Sequence, residues 1–304
     1  MRFNCGLFGW YLAWAVMVAV LFSAPAGAWG PGAHVETGLY IFRHLALLTP
    51  FIARILRSHP HAFIYGSVSP DMVLGKRYMK PERNNHRWET GFAILRDAET
   101  DRQQAFALGY LSHLAADTVA HNHYVPDRLL DEFGRRRRSH IMHELVFDST
   151  IEEEVWALAR VSAARPFPEC DRILFQNLAG TPLPVSVNHH LFHSGMQLVR
   201  MGGWQRIIRL LRNRWEGQVD EAAMMEYRNR MHRATLEFMQ DPIGAGCLRH
   251  SPSGGEILPQ AENIKVMLKH LSRSGLDPVA YQDIVAAFRR WREEAMNGSP
   301  HPAD

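Results

Sequence analysis

His113, Asp117 and His121 fall four residues apart in the run His-Leu-Ala-Ala-Asp-Thr-Val-Ala-His-Asn-His (113–123), so a helix through it places all three on one face. A second pair at the same spacing, His140 and Glu144, follows soon after. Imidazole nitrogens and carboxylate oxygens projecting from neighbouring helices are how helical proteins bind zinc and other divalent ions. Trp29, His34, Asp71 and His86 stand upstream in that order. The pattern points to a metalloenzyme.

The elements that must position these residues read as helices. Apolar residues at helical spacing from His34 to Leu56 predict two helices, broken near Thr49-Pro50. Phe63 to Met72 is apolar and then turn-rich. Arg87 to Arg96 and Gln103 to His121 predict further helices, the second apolar enough to be central, with Pro126 ending the run. A helix from about His140 to Val161 follows a basic loop, Arg135 to Arg138. Long helical runs are expected near 189–215, 219–240, 260–274 and 277–296. There is no strand-like alternation and no internal repeat. The expected fold class is all-α, a multi-helix bundle with additional C-terminal helices.

The 304 residues, 46% of them hydrophobic, are ample for a core, and a formal charge of +3 is too small for a nucleic-acid scaffold. Residues 1–28 have the form of a secretory signal: Arg2, an apolar stretch from Leu7 to Phe22, and Ala26-Gly27-Ala28 before Trp29. Export to the periplasm or medium, with cleavage before Trp29, is the expectation. Cys5 leaves with the signal; Cys170 and Cys247 could pair in an oxidising compartment, though neither lies in a C-x-x-C. Residues 166–185, with four prolines, are the best internal break. They divide a ligand-rich part (29–165) from a C-terminal helical region (186–297) and a frayed tail (298–304).

Five stretches carry a resemblance: Ala33-His34-Val35-Glu36-Thr37-Gly38, Gly66-Ser67-Val68-Ser69-Pro70-Asp71, Asn85-His86-Arg87-Trp88, Gly109 to Asp117, and His140-x3-Glu144-x3-Asp148. As an ordered set they resemble the zinc-dependent phospholipase C family and the catalytic domain of glycosylphosphatidylinositol-specific phospholipase D. The resemblance implies up to three zinc ions. Trp29, through its freed amino group and carbonyl, would bind one with His34 and Asp117. Asp71, His86, His113 and a shared Asp117 would bind a second. His140 and Glu144 would bind the third with a histidine after the central helix. The bacterial phospholipases place that histidine six residues after the aspartate, which is His123 here; the phospholipase D relatives place it at four, which is His121. Helical geometry favours His121, because His123 requires the chain to unwind towards Pro126.

The activity implied is hydrolysis of phospholipids by an exported phosphodiesterase of the C type, with Asp71 as general base or orienter of the attacking water. The partner is then a phospholipid or membrane surface, not nucleic acid. D-type cleavage is one alternative. Another is an S1/P1-like nuclease, for which the short Trp29-Gly30-x3-His34 spacing speaks; a third is a metal-binding envelope protein without turnover. His189, His190 and His193 read as surface or core residues rather than ligands, since no acid stands near them. Arg135 to Arg138 reads as a solvated loop, and Trp204 and Trp215 as core residues.

Overall fold

A computed structural model describes residues 29–72, 85–131, 147–178, 187, 190, 221–275 and 277–298. The described residues are helical, with no strand among them, as the apolar spacing predicts. The chain opens with α1 (Pro31–Arg43), α2 (Pro50–Ser58) and α3 (Pro60–Val68). A single 3₁₀ turn, Ser69–Met72, extends α3 and presents Asp71. Next come α4 (Trp88–Arg96), α5 (Asp101–Val119), a π-turn (Ala120–Tyr124) and α6 (Val125–Asp131). They are followed by α7 (Glu153–Ala163), α8 (Pro168–Asn177), α9 (Glu221–Gln240), α10 (Ile257–Arg273) and α11 (Pro278–Gly298).

Local chemistry sets these boundaries. Pro50 begins α2 with Thr49 as its cap, the Thr49 hydroxyl accepting from the Ile52 amide. Thr100 and Gln103 form a reciprocal capping box at the start of α5. Every residue from Ala105 to Val119 is buried, because α5 is the axle of the bundle, with α3, α4 and α9 packed around it.

The closest crossing joins α3 and α5. A Cβ at Gly66 would overlap the Phe106 carbonyl, and one at Gly109 would overlap the Phe63 carbonyl. Only two glycines let the backbones meet there. One hydrophobic core runs from Trp29 through Phe106 to Phe288. It includes a seam in which Phe238 of α9 stacks on Trp88 at 5.6 Å and meets Phe92 at 6.4 Å.

Several expectations need correcting. Pro126 does not end the central run. A proline cannot donate to the carbonyl four residues back and clashes with it; here the helix widens into a π-turn and continues as α6. The helix expected over 140–161 is not continuous: after Phe147 and Asp148 the chain turns at Ser149-Thr150, and α7 begins at Glu153. Part of the Pro-rich stretch 166–185 is helical. Pro168 starts α8, whose Cys170, Ile173 and Leu174 are buried against the bundle. α9, α10 and α11 begin and end within three residues of the expected runs. The run near 189–215, with His189, His193, Trp204 and Trp215, lies outside the described residues, as do residues 1–28, Arg135 to Arg138, His140 and Glu144. His190 is exposed. Cys170 and Cys247 are free buried thiols, each pushed up to about 12 by burial.

Candidate metal centre

α1, α3, α4 and α5 converge on one buried cluster. His34 comes from the first turns of α1, His113 and Asp117 from the middle of α5, and His86 from the residues leading into α4. Asp71 comes from the turn that closes α3. The ligand atoms of His34, Asp71 and His113 lie within 4.8 Å of one another, as do those of His86, His113 and Asp117. His113 therefore belongs to both groups, where the resemblance makes Asp117 the shared residue.

Asp117 is the hub. One carboxylate oxygen lies 3.1 Å from His113 Nε2, 3.3 Å from His86 Nε2 and 3.8 Å from His121 Nε2; the other is 3.6 Å from His34 Nε2. Burial alone would raise its pKa, but the facing imidazoles, His113 foremost, hold it below the usual carboxylate range. Burial, then His113, lowers His34 to about 3, so its ring is neutral at pH 7. A carboxylate and neutral imidazoles are the protonation states that bind a metal.

The surroundings fix the ring orientations. His113 Nδ1 lies 2.9 Å from the Ser67 carbonyl, which can only accept, so Nδ1 carries the proton and Nε2 faces the cluster. His86 Nδ1 is set likewise, 3.2 Å from Asn85 Oδ1. The two Nε2 atoms then face each other at 3.1 Å, an arrangement that a cation between them accommodates. Both ring nitrogens of His34 and one Asp117 oxygen are buried with no hydrogen-bond partner. Such atoms are costly unless something else binds them, and a divalent metal fits this donor set.

Trp29 lies beside the cluster as a packed aromatic. Its ring stacks on Tyr124 at 4.6 Å and meets Phe147 at 4.3 Å, and its indole N–H donates to the Ala116 carbonyl at 3.1 Å. His121 continues the face of His113 and Asp117. His123 points elsewhere: its Nδ1 is 3.4 Å from an Arg230 nitrogen of α9 and 4.0 Å from Glu293 of α11.

Four supporting residues have no role assigned by sequence reading, although all sit in the resembling stretches. Ser67 and Asn85 orient the two histidines. Tyr110 donates to the Asn85 carbonyl at 2.5 Å and ties the His86 segment to α5. Asp148 accepts from the Gly32 and Ala33 amides, both at 3.2 Å, and so caps the first turn of α1 directly before His34. Their positions in the motifs were the available signal; their hydrogen bonds depend on the tertiary crossing.

Asp71 differs from the rest. It is 34% exposed where the other residues of the two groups are 4% or less, so it stands at the solvent edge, 3.3 Å from His86 Nε2. A buried set of imidazoles around one carboxylate, opened at a second carboxylate, can hold divalent metal and admit a polar substrate. Residues 34–183 match a family model described as zinc dependent phospholipase C. No curated protein and no solved structure matches the chain. Over residues 34–183, which hold every ligand gathered in the cluster, the chain belongs to the zinc-dependent phospholipase C family of hydrolases.

Proposed function

We propose that the chain, freed of residues 1–28, is an exported zinc-dependent phosphodiesterase that hydrolyses phospholipids on the glycerol side of the phosphate. The observation that carries this reading is the partial exposure of Asp71 beside an otherwise buried His/Asp cluster. His34, Asp71, His86, His113, Asp117 and His121 hold the metal. The proposed full set adds the Trp29 amino group and carbonyl, His140 and Glu144, for three zinc ions in all. The Trp29 indole bond to Ala116, the neighbour of Asp117, supports its place there.

Zinc in such a site supplies a Lewis acid that lowers the pKa of water and offsets the charge developing on phosphate. The chain's own residues do the rest. His86 and His113, each fixed at Nδ1, hold their Nε2 lone pairs in place before substrate arrives, so no reorganisation is needed. Among the described residues, the walls of α1, α3 and α5 bury the cluster except at the Asp71 side. Asp71 orients the attacking water at that open edge and accepts its proton. Among the described residues no helix is long and apolar enough to cross a membrane.

The test is product identification after incubating the signal-cleaved protein with phosphatidylcholine vesicles, alongside a chelated sample and His113→Ala. Diacylglycerol and phosphocholine, lost in both controls, support the proposal. Phosphatidic acid would move the reaction to the D type. Cleavage of single-stranded nucleic acid without lipid turnover would replace the reading with an S1/P1-like nuclease. Bound zinc with no diester turnover would leave a metal-binding protein.

A further inference from the structure

The family match ends at residue 183, yet three contacts bring the C-terminal region onto the metal centre. The His250 carbonyl accepts the Trp88 indole N–H at 2.9 Å, two residues after His86. The Asn122 amide, next to His121, donates to the Thr118 carbonyl at 2.7 Å and to the Ser251 carbonyl at 2.9 Å. Gly254, at φ +86, lies against His121 and its own neighbour Leu258: a Cβ there would sit 2.9 Å from the Leu258 Cβ, 3.0 Å from the His121 carbonyl oxygen and 3.2 Å from the His121 Cβ.

Two of these contacts fall on the π-turn, Ala120–Tyr124. A π-turn inserts one residue into the helical ladder and is costlier than the α-helix it interrupts, so it persists where its surroundings fix it. Two histidines lie on this turn, His121 facing Asp117 and His123 facing Arg230 and Glu293, and a rotation of it would exchange them. Loop 250–254 accepts from the side chain at 122 and lies close against residue 121 at Gly254, while Arg230 and Glu293 face the ring of His123. All of these groups lie beyond residue 220. We infer that the C-terminal region is a working part of the metal centre: loop 250–254 clamps the π-turn and selects His121, rather than His123, as the residue facing the metal. This rests on the proposal that His121 is a ligand.

Two glycines make the test specific. Gly254 and Gly275 share nearly the same positive φ, +86 and +84, but a Cβ at Gly275 would meet nothing within 4 Å. Gly275→Ala therefore carries the backbone strain alone, and Gly254→Ala adds contacts on His121 and Leu258, so Asn122→Ala, which touches neither glycine, is needed beside it. Zinc stoichiometry and affinity would be measured by competition with a chelating dye for both, and for Asn122→Ala, which removes the bridge to the loop without adding bulk. Gly254→Ala and Asn122→Ala are expected to weaken one zinc by roughly tenfold or more, the usual scale for groups that orient a ligand. Gly275→Ala should stay within about twofold of the parent, as distant sites do. In the Gly254→Ala background His123→Ala should cost more zinc affinity than it does in the parent. Equal affinities for Gly254→Ala and Gly275→Ala, with Asn122→Ala unchanged, would overturn the clamp. If His121→Ala binds zinc like the parent, the ligand assignment itself fails, and the clamp with it.

Discussion

Single atoms decide how rigid the centre is. The Tyr110 hydroxyl reaches the Asn85 carbonyl, and Asn85 in turn orients His86. Tyr110→Phe removes one buried hydrogen bond, at a cost of about 1 kcal/mol in stability. Zinc affinity should fall further than stability implies, by up to roughly tenfold, because His86 loses its anchor. A chelator competition assay beside thermal unfolding separates the two effects; unchanged affinity would show that the tyrosine only packs. Asp148 acts at longer range, holding the first turn of α1 and hence His34. Asp148→Ala leaves the Gly32 amide buried without an acceptor and should cost about 1–3 kcal/mol, with Asp148→Asn recovering part of it. Equal losses for the two variants would refute a role as hydrogen-bond acceptor.

The crossing of α3 and α5 is what turns separate helices into a site. It brings the Ser67 carbonyl to His113 and fixes where Asp71 emerges from the end of α3. A methyl group at Gly109 must push the helices apart, because the obstacle is backbone that has no rotamer to change. Gly109→Ala should cost about 1–3 kcal/mol or more and lose zinc as well; a thermal midpoint within a degree of the parent would contradict the close crossing. This crossing also marks what could be read in advance. His113, Asp117 and His121 were visible because four-residue spacing is a local property of one helix. His34, Asp71 and His86 are scattered through the chain, and only their order in a known pattern tied them together. The roles of Ser67 and Asn85 were hidden, since a carbonyl's partner depends on which backbone another helix brings to it. The π-turn was also unread: a proline at 126 looks like a stop when only the local chain is considered, and tertiary packing carries the helix past it.

At the scale of the whole molecule, α9 is the strut joining the C-terminal region to α1 and α5. Its polar contacts with α1 are titratable. Arg228 donates to Glu36 at 2.9 Å, and His232 stacks on Tyr40 at 4.2 Å with Nε2 4.0 Å from Glu36. Burial, then Arg228, lowers His232 from 6.5 to about 4, and burial raises Glu36. The sign follows: between pH 6.5 and 4 the unfolded chain binds a proton at His232 that the folded chain refuses. Its contribution is complete above pH 6.5 and declines as pH falls towards 4, by at most about 1.4 kcal/mol per pH unit. His232→Phe keeps the ring stack and should flatten that part of the slope. Urea midpoints at pH 7 and 5, taken in chelator so that metal loss does not intrude, check this; parallel slopes would sink it.

The seam of Trp88, Phe92 and Phe238 carries a practical consequence. A chain cut after residue 183, where the family match stops, would retain Trp88 and Phe92 but lose the ring that covers them. It would also uncover Tyr124, whose ring meets Tyr227 of α9 edge-on at 5.2 Å. Aromatic surface bared in this way drives self-association. The shortened protein should elute as aggregate on gel filtration, or accumulate in inclusion bodies, while the full-length chain remains dispersed.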